Sequence, residues 1–312
     1  MGIFNNLFDI DSRDNYAVTG LNKELNSLYI YNYFIKNKKN NLVITNSLYE
    51  ANDVYNRLLN YTNKVLFFPM DDFITSEVTD ISPEFVIDRL TTLNKLLGSG
   101  KYIVVTNLMG ILRYLPNTKL YKNKIIDINK DMDIDRDDFI NKLFDLGYEK
   151  KPVVSRTGEM AIRGYVIDIF PIEFDNPIRI EFWGDTIDSI KYFDLEDQIS
   201  NTSVDSVKIY PYTEFLIDGK IGDNIIRKQK YLLNYSDSVS GLWDYVSDSV
   251  IFYYDYNQII NSYSLLRENI LEYDTELDDD IKTNYMWDIE DISNKHNIYI
   301  LDIDNLIVSQ PD

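Results

Sequence analysis

The chain has 312 residues, 45% of them hydrophobic and 14% aromatic, enough apolar material for a core and too long for one small domain, so two or three structural units are expected. It has no cysteine and one histidine, His296, which excludes disulfides and thiolate metal sites and leaves any histidine-based site a single candidate; His296 reads as an ordinary surface or loop residue. The net charge of −20 is the reverse of what nucleic-acid binders usually carry, because an acidic surface repels a phosphate backbone.

In chain order, residues 21–35 place Leu21, Leu25, Leu28 and Tyr29 at helical spacing. Residues 42–45 read as a short buried strand, 47–61 as a helix, and 65–68 as a strand that Pro69 stops. A helix over 83–97 has Ser82 to cap it, Pro83 in its first turn and Gly98 at its end. A third strand covers 102–106, and a short helix over 108–115 is ended by Pro116. Strands alternating with helices of this length imply a parallel, doubly wound sheet. From about 119 to 208 the texture changes. A strand over 125–128 and a helix over 137–146 precede strand runs at 160–170, 178–183, 189–194 and 206–210, with turns at Asp175-Asn176-Pro177 and Gly184-Asp185. This is a small α+β unit with an antiparallel sheet. Helix and strand then alternate again, with recognisable pieces at 241–245, 250–254, 257–269 and 297–302. The economical organisation is one α/β domain, residues 1–118 and 211–312, interrupted by an inserted α+β domain, 119–210. Only the Asp/Asn-rich stretch 274–282 suggests a disordered linker. Residues 271–312 hold twelve acidic residues and two lysines, half of the net charge; this reads as a solvated acidic surface, or as an attraction to a basic protein or neighbouring domain. No apolar run approaches the roughly 18 residues of a membrane span, and residues 1–13 lack the pattern of a signal peptide. A cytoplasmic location is expected.

Four features bear on chemistry. A phosphate-binding loop needs glycines where backbone N–H groups wrap the phosphates, then Lys, then Ser or Thr for magnesium. Residues 17–24 sit where such a loop would belong, and Lys23 is present. Ala17 and Asn22 stand at the two glycines, and Glu24, a carboxylate that repels phosphate, stands at the hydroxyl. No nucleotide site is expected, and Asp302 with Asp304 is the nearest approach to a paired-acid strand. Asp131, Asp133, Asp135 and Asp137 imitate the start of a calcium loop, but Arg136 and Lys142 occupy the places of its Gly and Glu. That stretch reads as an acidic loop whose last aspartates favour the next helix N-terminus. There is no GxSxG sequence and no catalytic constellation, so no catalytic residue, cofactor or metal is assigned. Finally, Gly158, Glu159, Arg163, Gly164, Asp168, Phe170 and Pro171 are followed by Pro177, Arg179, Glu181, Phe182, Trp183, Gly184 and Asp185. Alternation puts Ile178, Ile180 and Phe182 on the core face, and Arg179, Glu181 and Trp183 on the other. An outward Arg-Glu-Trp row is a plausible docking surface, since Trp and Arg dominate binding hot spots. The alternative is a surface salt bridge beside a partly buried Trp.

These residues follow the pattern G-E-x-x-x-R-G-x-x-x-D-[IV]-[FY]-P and then P-[IV]-R-[IV]-E-F-[FW]-G-D. The pattern resembles the UvrA-binding domain shared by UvrB and the transcription-repair coupling factors. Phe193, Asp194, Glu196 and Gln198 continue the match. Upstream, Phe67-Phe68-Pro69, Ser82-Pro83-Glu84, Arg89-Leu90 and Leu146-Gly147-Tyr148-Glu149 fall in the family's order, so the resemblance covers roughly residues 17–255. UvrB has V-T-G-S-G-K-T where this chain has Val18-Thr-Gly-Leu-Asn22-Lys-Glu24. That decay favours the coupling factors, whose N-terminal region lacks ATPase motifs.

The resemblance implies a degenerate helicase-like (RecA-like) α/β domain in two discontinuous halves, with the UvrA-binding domain inserted between them. It implies recruitment of UvrA to stalled RNA polymerase in transcription-coupled nucleotide excision repair. RNA polymerase and DNA would be engaged by domains outside this chain, so the chain reads as an N-terminal fragment or one that stands alone. The family contacts fall on Arg163, Arg179, Glu181 and Trp183. Phe182 aligns with the first aromatic of the family's pair, though alternation makes it core. Ala161 stands where the family often has a second basic or polar residue, so a less basic surface is expected. The chain is thus expected to bind rather than catalyse. Two alternatives stay open: a UvrB-type ATP- and DNA-binding protein with residual ATPase, to be decided at residues 17–24, and an autoinhibitory or scaffolding role, since the family's docking face is covered by another domain.

Overall fold

The computed structural model describes residues 8, 10, 15–71, 82–219, 229–276, 284–292 and 296–301. The chain falls into two compact units, one of residues 1–115 and 229–312, the other of residues 116–228. Asp302, Asp304, most of the stretch 274–282 and much of the acidic region beyond 271 lie outside the described residues.

The first unit is built on a six-stranded sheet in the order Asn15–Val18, Asn297–Ile300, Ser249–Tyr254, Asn40–Thr45, Ile103–Asn107 and Val65–Phe68. Every neighbouring pair is parallel. Parallel strands are covered on both faces and read as continuous apolar runs; Asn40–Thr45, Ile103–Asn107 and Ser249–Tyr254 are buried at every position. Helix Lys23–Asn37 is rich in Tyr, Ile and Phe, which are mediocre helix formers, so packing rather than propensity holds it. Its Tyr29, Ile30, Tyr33 and Phe34 join Ala51, Val54 and Leu58 of helix Leu48–Leu59 in one core, each fully buried aliphatic contributing about 1.5–3 kcal/mol.

Caps set the helix boundaries. Asn22 accepts from the Leu25 N–H at 3.0 Å, which starts the first helix at Lys23. Ser47 does the same for Glu50 at 3.2 Å. Helix Pro83–Leu96 differs from the expectation, because the Ser82 side chain makes no capping bond; its carbonyl accepts from Phe85 and Val86 instead, and Pro83 supplies the helical φ at the first turn. The helix expected over 108–115 is only Leu108–Ile111, since a residue before proline is driven extended and Leu115–Pro116 is a strand. Asn15–Val18 is a strand where the sequence reading begins a loop.

The second unit carries a six-stranded sheet in the order Ser200–Val204, Thr186–Phe193, Ile178–Trp183, Val166–Ile169, Glu159–Arg163 and Glu149–Lys150. All pairs are antiparallel except the last, which departs from the antiparallel sheet expected. Gly147, at φ +89°, ends the preceding helix and turns the chain into that parallel pairing. Ile126–Asn129 and Ser206–Ile209 form a separate antiparallel pair. Helix Arg136–Asp145 is capped by Asp135, which accepts from the Asp138 N–H at 2.8 Å, so the acidic run serves the helix N-terminus as its sequence suggests. The helix lays Phe139 against Phe182, with ring centroids 6.0 Å apart. Among the described residues no helix is long and apolar enough to cross a membrane.

Candidate docking face

Strand Ile178–Trp183 divides its side chains between two faces. Ile178 and Ile180 are fully buried and Phe182 is 5% exposed, whereas Trp183 is 83% exposed. Arg179 and Glu181 are half-buried on the same side as Trp183. A bulge opposite Glu181 and Phe182 shapes this end, because Glu181 pairs with Ser189 but Phe182 pairs with Ile187. The extra residue, Asp188, lets Ile187 turn inward to meet Phe182. Two tight hairpins end the sheet here. Each spans two residues with glycine first, Gly164 at φ +58° and Gly184 at φ +63°, a place that favours glycine because φ is positive. They leave Arg163 and Trp183 at one end of the sheet.

The polar groups of this face are already engaged with one another. Arg179 grips Asp168 with a two-pronged fork, Nε to Oδ1 at 2.7 Å and Nη2 to Oδ2 at 3.0 Å. It also donates to the Gln198 carbonyl at 3.1 Å, and its guanidinium lies 4.7 Å from the Phe193 ring centroid. The Asp168 hydrogen bonds push Arg179 further toward its charged form. Arg163 is freer. Its side chain is 46% exposed, it donates to the Pro152 carbonyl at 3.2 Å, and its Nη1 lies 3.9 Å from Asp168 Oδ2. Glu181 accepts from Lys191 at 2.7 Å and from Ser189, and these hydrogen bonds hold its carboxyl below the usual range. Ala161 does not lie on the open surface. It is 1% exposed within a small cluster of Val154, Phe170 and Phe193, so a basic side chain there would have to displace that cluster.

The motif's Gly158 and Glu159 build the adjoining loop. Glu159 Oε2 accepts from the Ser155 amide at 2.8 Å, the Ser155 hydroxyl at 2.9 Å and the Arg156 amide at 3.2 Å. Burial alone would raise its pKa, but the bonds from Ser155 and Arg156 bring it below normal.

In the first unit, the stretch carrying Ala17, Asn22, Lys23 and Glu24 joins an edge strand to a helix. Ala17 lies inside strand Asn15–Val18, in register with Tyr299. Only Thr19 to Asn22 separate that strand from helix Lys23–Asn37, so the connection is short for a phosphate cradle. Asn22 occupies the Leu25 amide, and Glu24 lies 3.5 Å from Arg57 Nε. Among the described residues no group of three or more His, Asp or Glu could hold a metal ion.

The model of the UvrB interaction domain matches residues 126–215, which include the whole sheet bearing Arg163, Arg179, Glu181 and Trp183. The transcription-repair-coupling factor of Staphylococcus haemolyticus is 35% identical over 69% of this chain and 18% of its own length. That of Staphylococcus epidermidis is 32% identical over 75% of this chain and 20% of its own, and that of Staphylococcus aureus USA300 is 33% identical over 70% and 19%. The chain belongs to the transcription-repair-coupling factor family. It spans about a fifth of the length of these curated relatives.

Set within the family, the face contains three groups that sequence reasoning did not single out as members. Asp168 stands in the motif, and alternation along Val166–Ile169 already puts it opposite Ile167 and Ile169. Only the register, Arg179 against Asp168, reveals whom it serves. Lys191 and Ser189 satisfy Glu181 through the same kind of cross-strand pairing.

Proposed function

We propose that this chain is a docking module of transcription-coupled nucleotide excision repair, recruiting UvrA through the outer face of the inserted sheet, with no ATPase activity of its own. The observation that carries the reading is Trp183, a large indole 83% exposed at the same end of the sheet as Arg163, within the matched interaction domain. A ring left so far out in water is a natural apolar anchor, and an arginine at the same end of the sheet adds charge-assisted hydrogen bonds to an acidic partner. Arg179 and Glu181 precede Trp183 on the same strand and face. RNA polymerase and DNA are assigned to other parts of the full-length factor.

The domain organisation we read is a degenerate helicase-like domain, residues 1–118 and 211–312, interrupted by the UvrA-binding domain, residues 119–210. It is supported by the parallel sheet, which takes four strands from before the second compact unit and two from after it. The inert reading of residues 17–24 rests on Ala17 in the strand, Asn22 on the Leu25 amide and Glu24 beside Arg57.

Calorimetric titration with UvrA tests the reading. The unaltered chain is expected to bind, and Arg163→Ala to bind at least about 30-fold more weakly, the loss of roughly 2 kcal/mol that defines a hot spot. Equal affinity in a correctly folded Arg163→Ala chain discards the assignment. Arg163 is a cleaner probe than Arg179, whose removal would leave Asp168 buried and without its principal partner.

A further inference from the structure

Asp168 is a charged side chain with 1% of its surface exposed, at the centre of a face proposed to meet a partner. A buried carboxylate needs compensation, and here two arginines supply it from opposite sides. Arg179 comes from the neighbouring strand, directly across in register. Arg163 lies two residues beyond Ala161, which is the residue opposite Asp168 on the other neighbour, and so approaches diagonally. Both guanidinium groups converge on the same oxygen, Oδ2, at 3.0 Å and 3.9 Å. Two cations held so close repel unless an anion stands between them. Arg179 spends three of its five N–H donors on Asp168 and the Gln198 carbonyl, which leaves two.

We propose that Asp168 is a positioning residue of the docking face: it fixes Arg179 and draws Arg163 alongside, so that a carboxylate-bearing segment of the partner meets a preformed pair of arginines. The proposal rests on the docking reading above. It differs in sign from simple charge attraction. Asp168→Asn keeps the side-chain shape and removes one negative charge from the face. If net charge alone drew an acidic partner, binding would tighten. If Asp168 acts by holding the arginines, binding weakens.

Two measurements on the full chain decide the matter. In calorimetry with UvrA, Asp168→Asn is expected to bind at least fivefold more weakly than the unaltered chain. Combined with Arg163→Ala it is expected to cost less than the product of the two single effects. In nuclear magnetic resonance of the chain alone, the Arg179 Nε–H signal is expected to be protected from exchange and to lose that protection in Asp168→Asn. Unchanged or tighter binding by Asp168→Asn, or an unaltered Arg179 Nε–H signal, overturns the proposal. Failure of the unaltered chain to bind UvrA overturns the docking reading instead, and the resonance experiment still decides whether Asp168 fixes Arg179. Should Asp168→Asn not fold, Asp168→Glu keeps the charge but displaces it by one methylene; a twofold or greater loss of affinity is expected, and none overturns the proposal.

Discussion

Phe182 and Trp183 are adjacent on one strand and point opposite ways, so alanine at each should produce opposite phenotypes. The Phe182 ring is 5% exposed and packs 6.0 Å from Phe139. Truncating a buried phenylalanine costs about 3–5 kcal/mol, which at a urea slope of about 1–3 kcal/mol/M lowers the unfolding midpoint by about 1 M or more. The Trp183 ring is 83% exposed and leaves no cavity when removed. Its loss should change stability by less than about 0.5 kcal/mol. Binding should show the reverse. An indole that is covered on docking buries about 150–250 Å², worth about 4–6 kcal/mol at about 25 cal/mol/Å². Ordering of side chains and imperfect desolvation reduce this to about 2–3 kcal/mol, a loss of roughly 30- to 150-fold in affinity. Urea unfolding followed by far-ultraviolet circular dichroism gives the stability arm, and calorimetry with UvrA gives the binding arm. If Trp183→Ala lowers the urea midpoint as Phe182→Ala does, or binds UvrA like the unaltered chain, the assignment of this face is wrong.

The remaining predictions concern the supporting structure. Gly158→Ala should destabilise the second unit strongly, because φ is +89° there and a Cβ would sit 2.1 Å from the Tyr212 ring; the strain of φ alone is about 1–2 kcal/mol, and a urea midpoint close to that of the unaltered chain would contradict it. Glu159 should make the fold acid-sensitive. Its folded pKa is lowered, so its stabilising share is complete above the ordinary glutamate value near about 4.3 and disappears as pH falls below that through the folded value. Melting curves between about pH 3 and 7 should therefore show a shallower acid decline for Glu159→Gln, from a lower starting melting temperature. Asn22→Ala should cost about 0.5–2 kcal/mol through loss of the helix cap. ATP with magnesium should leave the melting temperature of the unaltered chain unchanged; a rise of several degrees would revive a nucleotide site at residues 17–24.

How much of this was readable in the residues depends on how local each cause is. The division of Ile178–Trp183 into two faces is a period of two within six residues, and it is visible without partners. The caps at Asn22, Ser47 and Asp135 are equally local. Strand Asn15–Val18 is not, because its partner is Asn297–Ile300 and nothing in four residues announces a neighbour so far along the chain. Strand Ser200–Val204 reads SNTSV, with no apolar alternation; it is an edge strand held by pairing to Thr186–Phe193 rather than by burial. The roles of Asp168 and Lys191 depend on register across strands, and the bulge at Asp188 shifts that register by one. The Ser82 cap failed for the opposite reason, since a favourable local signal was present and the chain used the carbonyl instead.

The pairing of Asn15–Val18 with Asn297–Ile300 also constrains how the molecule is made. As the ribosome extends the chain, an early edge strand waits without its strand partner until a segment nearly three hundred residues later has emerged. At about 5–20 residues per second that interval is on the order of ten seconds to a minute. The second unit, contiguous from 116 to 228, can close in the meantime. Nascent-chain proteolysis should therefore find the antiparallel sheet of the second unit formed while the parallel sheet is still incomplete.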